Sequence, residues 1–491
     1  MSLSYNASDR IFTLSTERST YQMKVDQYGY LLHLYYGARA EGDMSYLLTY
    51  CDRSGMCGCP HDVADRRYSL DFLPQEYPFQ GEGDMRSPLL LVRGDDGTFG
   101  CDLRYKSHEI RGGKYALPGL PAVYSEEGDG SETLSITLAD ERLGLEVELL
   151  YGIMPAFDVI TRAAVIRNVG EGRLTVEKAQ SACLDLVAGD FDVITFDGRH
   201  AMERRPSRRA VTNGSFSVRS RRGMSSNQYN PMMILCDHDA TETAGRCWSM
   251  SFVYSGSFLA EVERDQYEQT RMQMGLEQDL FSYPLEPGEQ LVAPEVIMTF
   301  SAAGLERISH NLHRCIRRRV CRGPWRDSPR PVLINSWEAC YFDFTGDKLV
   351  ELAKKAAELG LDMLVMDDGW FGARNDDHRG LGDWKPNMEK LGGSVADLAR
   401  RVNEQGLGFG IWVEPEMVNE DSDLFREHPD WALTIPGKPP VLGRDQLVLD
   451  LSRADVRDNL FEQLSAVLDQ GGIDYVKWDY NRSIVDVHSR T

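Results

Sequence analysis

The chain has 491 residues, 42% of them hydrophobic and 26% charged, and its 54 basic and 76 acidic residues give a net charge of −22. That length exceeds one ordinary core, so two or more domains are expected, and the apolar fraction is that of soluble globular proteins. A surface so acidic repels phosphate backbones and anionic lipid, which argues against nucleic acid and membrane as partners.

Met1 to Thr16 hold no basic start followed by an apolar run, and no stretch reaches the roughly 18 apolar residues that a membrane span needs. Ten cysteines scattered along the chain fit reduced thiols in a cytoplasmic protein better than a disulfide scaffold. Cys51, Cys57, Cys59 and His61 cluster in "CDRSGMCGCPH". C-x-C with no second pair is not the zinc-knuckle spacing, so a Gly/Cys/Pro-rich loop is expected there. Up to about residue 300 the chain reads as β. "RIFTLST", "YQMKV", "YLLHLYYG", "TLSITLAD", "LEVELLYGIM" and "VITRAAVIRNV" are short runs of β-branched and aromatic residues, many alternating with period two. Many strands without intervening helices argue a large antiparallel sandwich. Arginine-rich stretches at Arg204 to Arg222 and Arg317 to Arg319 read as solvated faces or a domain seam.

"RCIRRRVCRGPWRDSPRPV", Arg314 to Val332, is basic and then Pro-rich, as an interdomain connection would be. We place the boundary there, with domains at 1–325 and 326–491. Beyond it the rhythm becomes strand–loop–helix. "PVLINSW" is strand-like. "DKLVELAKKAAELG" is a helix with Leu349, Leu352, Ala353, Ala356 and Leu359 on one stripe and Gly360 as its stop. "DMLVMDDGW" is a second strand. "SVADLARRVNEQG" is a helix with Ser394 and Asp397 spaced as a capping box. "LGFGIWVEPE" is a third strand, and "SRADVRDNLFEQLSAVLDQGG" a third helix with Ser452 as N-cap. "DYVKWD" is a fourth strand. Such βα units build a parallel sheet. Polar and aromatic residues gather where the strands end: Trp337, Asp367 with Asp368, Trp412 with Glu414, and Lys477 with Asp479. Active sites of (β/α)₈ barrels lie at that end. A nucleotide-binding sheet is disfavoured because no glycine-rich loop follows the first strand. Four strands are half a barrel, whose open edge would leave apolar surface uncovered. A C-terminal truncation is therefore expected.

Carboxylates, tryptophans and a lysine at one end suit a neutral polyhydroxylated ligand. Lys477, Asp479 and Asn481 share a face of an extended strand. Spacing alone leaves two readings of Lys477 and Asp479: an ion pair inside a barrel, or a carboxylate kept ionised for catalysis. Glu414 and Glu416, around Pro415, are rival catalytic carboxylates. Asn375 to His378, "NDDH", lies in a polar loop and is not expected to hold metal.

The series "INSWEACYFDF", "VMDDGWFGARNDD", "LGDW", "FGIWVEPEMVN", "HPDW", "GRDQLVLDLSR" and "YVKWDYNR", with "SLDFLPQEYP" and "DMRSP" upstream, resembles glycoside hydrolase family 36, the microbial α-galactosidases. The resemblance covers essentially the whole chain. It implies a multidomain β and α/β fold: an N-terminal β-supersandwich, then a (β/α)₈ barrel of which only the first four strands are present. It implies retaining hydrolysis of terminal α-galactosides such as melibiose and raffinose, with no cofactor. By motif, Asp479 would be the nucleophile, supported by Lys477 and Asn481. Asp367 and Asp368 would bind sugar hydroxyls, Arg444 would bind sugar and polarise the site, and Trp337 and Trp412 would wall it. Asp52 would reach a neighbour's site in a homo-oligomer. The family's acid/base aspartate would lie beyond Thr491, whereas retaining glycosidases use two carboxyl groups about 5 to 5.5 Å apart. A sugar-binding remnant and a raffinose-synthase-like transferase are the alternative readings.

Overall fold

The computed structural model describes residues 2–489 apart from 49, 51–58, 60, 63, 188 and 487. The chain divides into two compact units, Met1–Arg326 and Asp327–Thr491.

The first unit is built from antiparallel sheets. Leu3–Asn6, Ile11–Ser15, Ser19–Val25 and Leu31–Ala38 form a meander. A nine-stranded sheet includes Leu145–Met154, paired along its whole length with Val159–Asn168. These are two of the runs that alternate in the sequence. Val147, Leu149, Tyr151 and Ile153 are buried on one side, as period-two packing requires. The same interior holds charge. Arg162 and Glu76, both inaccessible to solvent, pair at 2.6 Å, and Tyr21 and Tyr151 also donate to Glu76. An ion pair taken so far from water depends on such further partners. The unit ends in a helix, Gly304–Arg319, whose Ile308, Leu312 and Cys315 are buried. The strand Met202–Ala210, which carries four arginines, is exposed at the edge of the nine-stranded sheet.

The second unit has a four-stranded parallel sheet, Leu333–Asn335, Met363–Met366, Gly408–Val413 and Tyr475–Trp478, in sequential order. Helices Gly346–Glu358, Val395–Asn403 and Ala454–Leu468 connect them. Leu364, Met366, Phe409 and Ile411 are buried against Leu349, Ala353, Leu398 and Val402. The capping box forms: Ser394 Oγ accepts the Asp397 amide at 3.0 Å, and the Asp397 carboxylate accepts the Ser394 amide at 3.1 Å. Two expectations are corrected. Ser452 is not an N-cap, because its hydroxyl donates to Asp450 at 2.5 Å and the helix starts after Arg453. Leu359 does not join the buried stripe. It is the C-cap residue of its helix, beyond the last regular turn, and is 80% exposed.

Candidate active site

The carboxyl ends of the four strands carry the polar groups. Asn335 closes the first strand, Asp367 and Asp368 follow the second, Glu414 the third and Asp479 the fourth. The parallel register sets Trp412 beside Lys477. Gly369, in "DDGW", has φ +106°, a conformation that L side chains rarely adopt. A Cβ there would stand 3.0 Å from the Phe342 ring. The glycine lets the chain turn sharply after the two aspartates.

Asp479 is held by donors on both of its oxygens. Its amide N–H donates to the Val413 carbonyl at 2.8 Å, which continues the sheet by one bond. Its Oδ2 accepts from the Trp412 indole at 3.0 Å and the Asn481 side chain at 2.9 Å, and its Oδ1 accepts from the Tyr480 amide at 3.0 Å. Burial pushes this carboxyl up, but the three hydrogen bonds and the Lys477 charge outweigh it and hold the group below the usual carboxylate range. The carboxylate is thus ionised and still 30% exposed.

Lys477 does less for Asp479 than its spacing implies. Its Nζ lies 4.0 Å from Asp479 but donates to Asp367 at 2.7 Å. Asp367 also accepts from Asn335 at 2.6 Å and from the Asp368 amide at 2.9 Å. Lys477 therefore bridges the ends of the second and fourth strands. Asp368 is held differently. Arg374, completely buried, donates to both of its oxygens at 2.7 to 3.2 Å. Burial nonetheless keeps the Asp368 carboxyl above its ordinary range.

Trp412 is corrected as an open wall. Its ring is 1% exposed and packs among Phe371 and Trp384. What it presents to the site is its indole N–H. Trp337 is half-buried, edge-on to Tyr341 and Phe342. Arg444 has φ +53° and pairs with Asp377 at 3.1 Å. Asp377 in turn lies 3.7 Å from Arg374, so the "NDDH" loop links two arginines. Glu416 accepts from the Trp478 indole at 2.9 Å. Asp52, Cys51 and Cys57 lie outside the described residues. His61 is hydrogen-bonded to Tyr30 at 3.0 Å. Among the described residues, no group of His, Cys, Asp or Glu is arranged to hold a metal ion.

Asn335, Arg374 and Gln446 were missed in the sequence. Arg374 left a signal: an arginine in a glycine-containing loop six residues after a strand-end acid.

The family model for the glycosyl hydrolase family 36 N-terminal domain matches residues 29–286, and the melibiase model matches 290–491. The chain belongs to glycoside hydrolase family 36. This family 36 chain is 57% identical over 490 residues to the bifunctional α-galactosidase/sucrose kinase AgaSK of Mediterraneibacter gnavus, aligning over 100% of the chain and 52% of that protein. It is 45% identical to α-galactosidase AgaA of Geobacillus stearothermophilus, over 100% of the chain and 67% of that protein. The chain thus spans about half to two thirds of the length of these curated relatives. Among solved structures, the galactosidase domain of AgaSK superposes with a TM-score of 0.97 over 99% of this chain and 68% of that one. An AgaA variant in complex with raffinose, 45% identical, superposes with a TM-score of 0.95 over 98% and 67%.

Proposed function

We propose that the protein carrying this chain is a retaining α-galactosidase that releases terminal α-galactosyl residues from small oligosaccharides of the melibiose and raffinose type. The observation that carries the reading is the setting of Asp479: ionised, partly open to solvent, and with three donors fixing both oxygens. A nucleophile that attacks an anomeric carbon needs that charge and that rigidity. The raffinose complex of the AgaA variant supports the substrate class.

In this reading Asp479 displaces the leaving group and forms a glycosyl ester, which water then hydrolyses. Lys477 and Asp367 form a donor–acceptor pair for vicinal hydroxyls, and Trp337 offers a ring face. Asp368, held by Arg374, and Arg444, paired with Asp377, are the further groups assigned to the sugar. Asn481 and Trp412 hold the nucleophile. We assign no residue of this chain to the acid/base role. We further infer a cytoplasmic homo-oligomer in which Asp52 reaches a neighbouring subunit. The eight described cysteines, all free, support the reducing compartment.

The test uses the full-length protein and an activated aryl α-galactoside. The first sugar product should be α-galactose, seen by NMR before mutarotation. Asp479→Ala should lower turnover by many powers of ten while sugar binding persists. Added azide should partly restore turnover and give β-galactosyl azide, because the displacement then occurs once. An α-azide, or near-normal turnover in that variant, would assign the nucleophile elsewhere.

A further inference from the structure

Glu414 stands beside the nucleophile with no counter-charge among the described residues. It is inaccessible to solvent, and the two groups that donate to it are both neutral. Its Oε1 accepts the Asn481 backbone N–H at 2.6 Å, and its Oε2 accepts from the Gln446 side chain at 3.1 Å. Gln446 is itself fully buried. The sheet ends at Trp478, so Asp479 to Arg482 are not held by strand pairing beyond the single Asp479 amide bond. The Glu414 carboxyl grips the middle of this strap. The residue gripped by its main chain, Asn481, is the one whose side chain fixes Asp479 Oδ2.

We propose that Glu414 is a positioning residue for Asp479, acting through Asn481: it clamps the Asn481 backbone so that the Asn481 side chain and the nucleophile keep one geometry. Its carboxyl never meets the sugar, because it lies behind the strap and is closed to solvent. Gln446 orients Glu414 from the far side, so the order of support runs Gln446, Glu414, Asn481, Asp479. The inference rests on the proposed α-galactosidase reading and adds to it a residue that strand-end position alone would cast as a rival nucleophile.

The experiment is steady-state kinetics of the full-length enzyme on an aryl α-galactoside. Glu414→Leu removes the acceptor and should lower kcat about tenfold or more, with KM within about twofold, because ground-state sugar contacts are untouched. Glu414→Gln keeps an oxygen facing the Asn481 amide and should recover most of that loss. Asn481→Ala should lower kcat, and adding Glu414→Gln or Glu414→Leu to it should cost little more, since both act on one contact. Should Glu414→Leu fail to fold, Gln446→Leu, which strips the rear support, should give the same kcat-only loss. Additive losses in the double variants, or a loss falling mainly on KM, would overturn the clamp. A wild-type enzyme with no action on any α-galactoside would instead refute the function and leave the Glu414–Asn481 contact to be read by the amide proton of Asn481. That proton should shift on Glu414→Gln, and an unmoved signal would overturn the clamp by itself.

Discussion

At the scale of single residues, burial raises two carboxyls of the site, and only one of them has the partners to outweigh it. Asp479 has three hydrogen-bond donors and a cation 4.0 Å away, and stays charged. Burial lifts Glu414, whose partners are neutral and whose neighbour Asp479 is negative, to about 7. A carboxyl whose folded pKa lies above its unfolded value contributes stability below the unfolded pKa, and that contribution is lost as pH rises through the folded one. From the ordinary glutamate value of 4.5 to about 7, the loss accrues across that window and amounts to about 3 kcal/mol. Glu414→Gln should therefore flatten the pH dependence of denaturant stability between those limits and gain on the wild type toward pH 8. Arg374 makes the converse case. Arg374→Met leaves Asp368 buried without its cation, which should cost about 3 to 5 kcal/mol near neutral pH. The cost should shrink on acidification, as the Asp368 carboxyl takes up a proton. Urea titrations at pH 8 and pH 4.5 measure both effects.

At the scale of elements, the sequence was most legible where local chemistry and packing agree. The Ser394–Asp397 box is wholly local, and it forms as read. Ser394→Ala should cost about 1 kcal/mol of stability. The stripe on the preceding helix was legible only in part. Leu349 is fully buried, whereas Leu359, on the same face by count, is 80% exposed at the C-cap. Periodicity predicts direction from the helix axis but not where the neighbouring layer stops. Leu349→Ala should accordingly cost about 2 to 5 kcal/mol, and Leu359→Ser within about 0.5 kcal/mol. Thermal unfolding of the two variants checks the contrast. The same limit explains the site. Lys477 and Asp479 were legible as neighbours because they lie two residues apart. That Lys477 turns to Asp367 instead depends on a strand 110 residues away in sequence. That Trp412 shows the site only its N–H depends on the rings of Phe371 and Trp384. No short window contains either fact.

At the scale of the whole molecule, two units with opposite habits share one chain. The first is a set of antiparallel sheets whose period-two runs announce themselves. The second is a parallel sheet whose strands meet only across intervening helices. The bridge from Lys477 to Asp367 has a consequence in time. Loop closure must come before such a contact can reward it. The helices of the second unit can form early from local bonds, while the hydrogen bond from Trp412 to Asp479 must wait for the fourth strand to dock. In pulse-labelled hydrogen exchange during refolding, amides of the Ser394-capped helix should gain protection before the Trp412 indole N–H does. Simultaneous protection would mean that the sheet assembles in one step. If the lag is seen, the chain passes through an interval in which it is largely folded yet blind to sugar, and a ligand present from the start of refolding can speed only the steps that follow it.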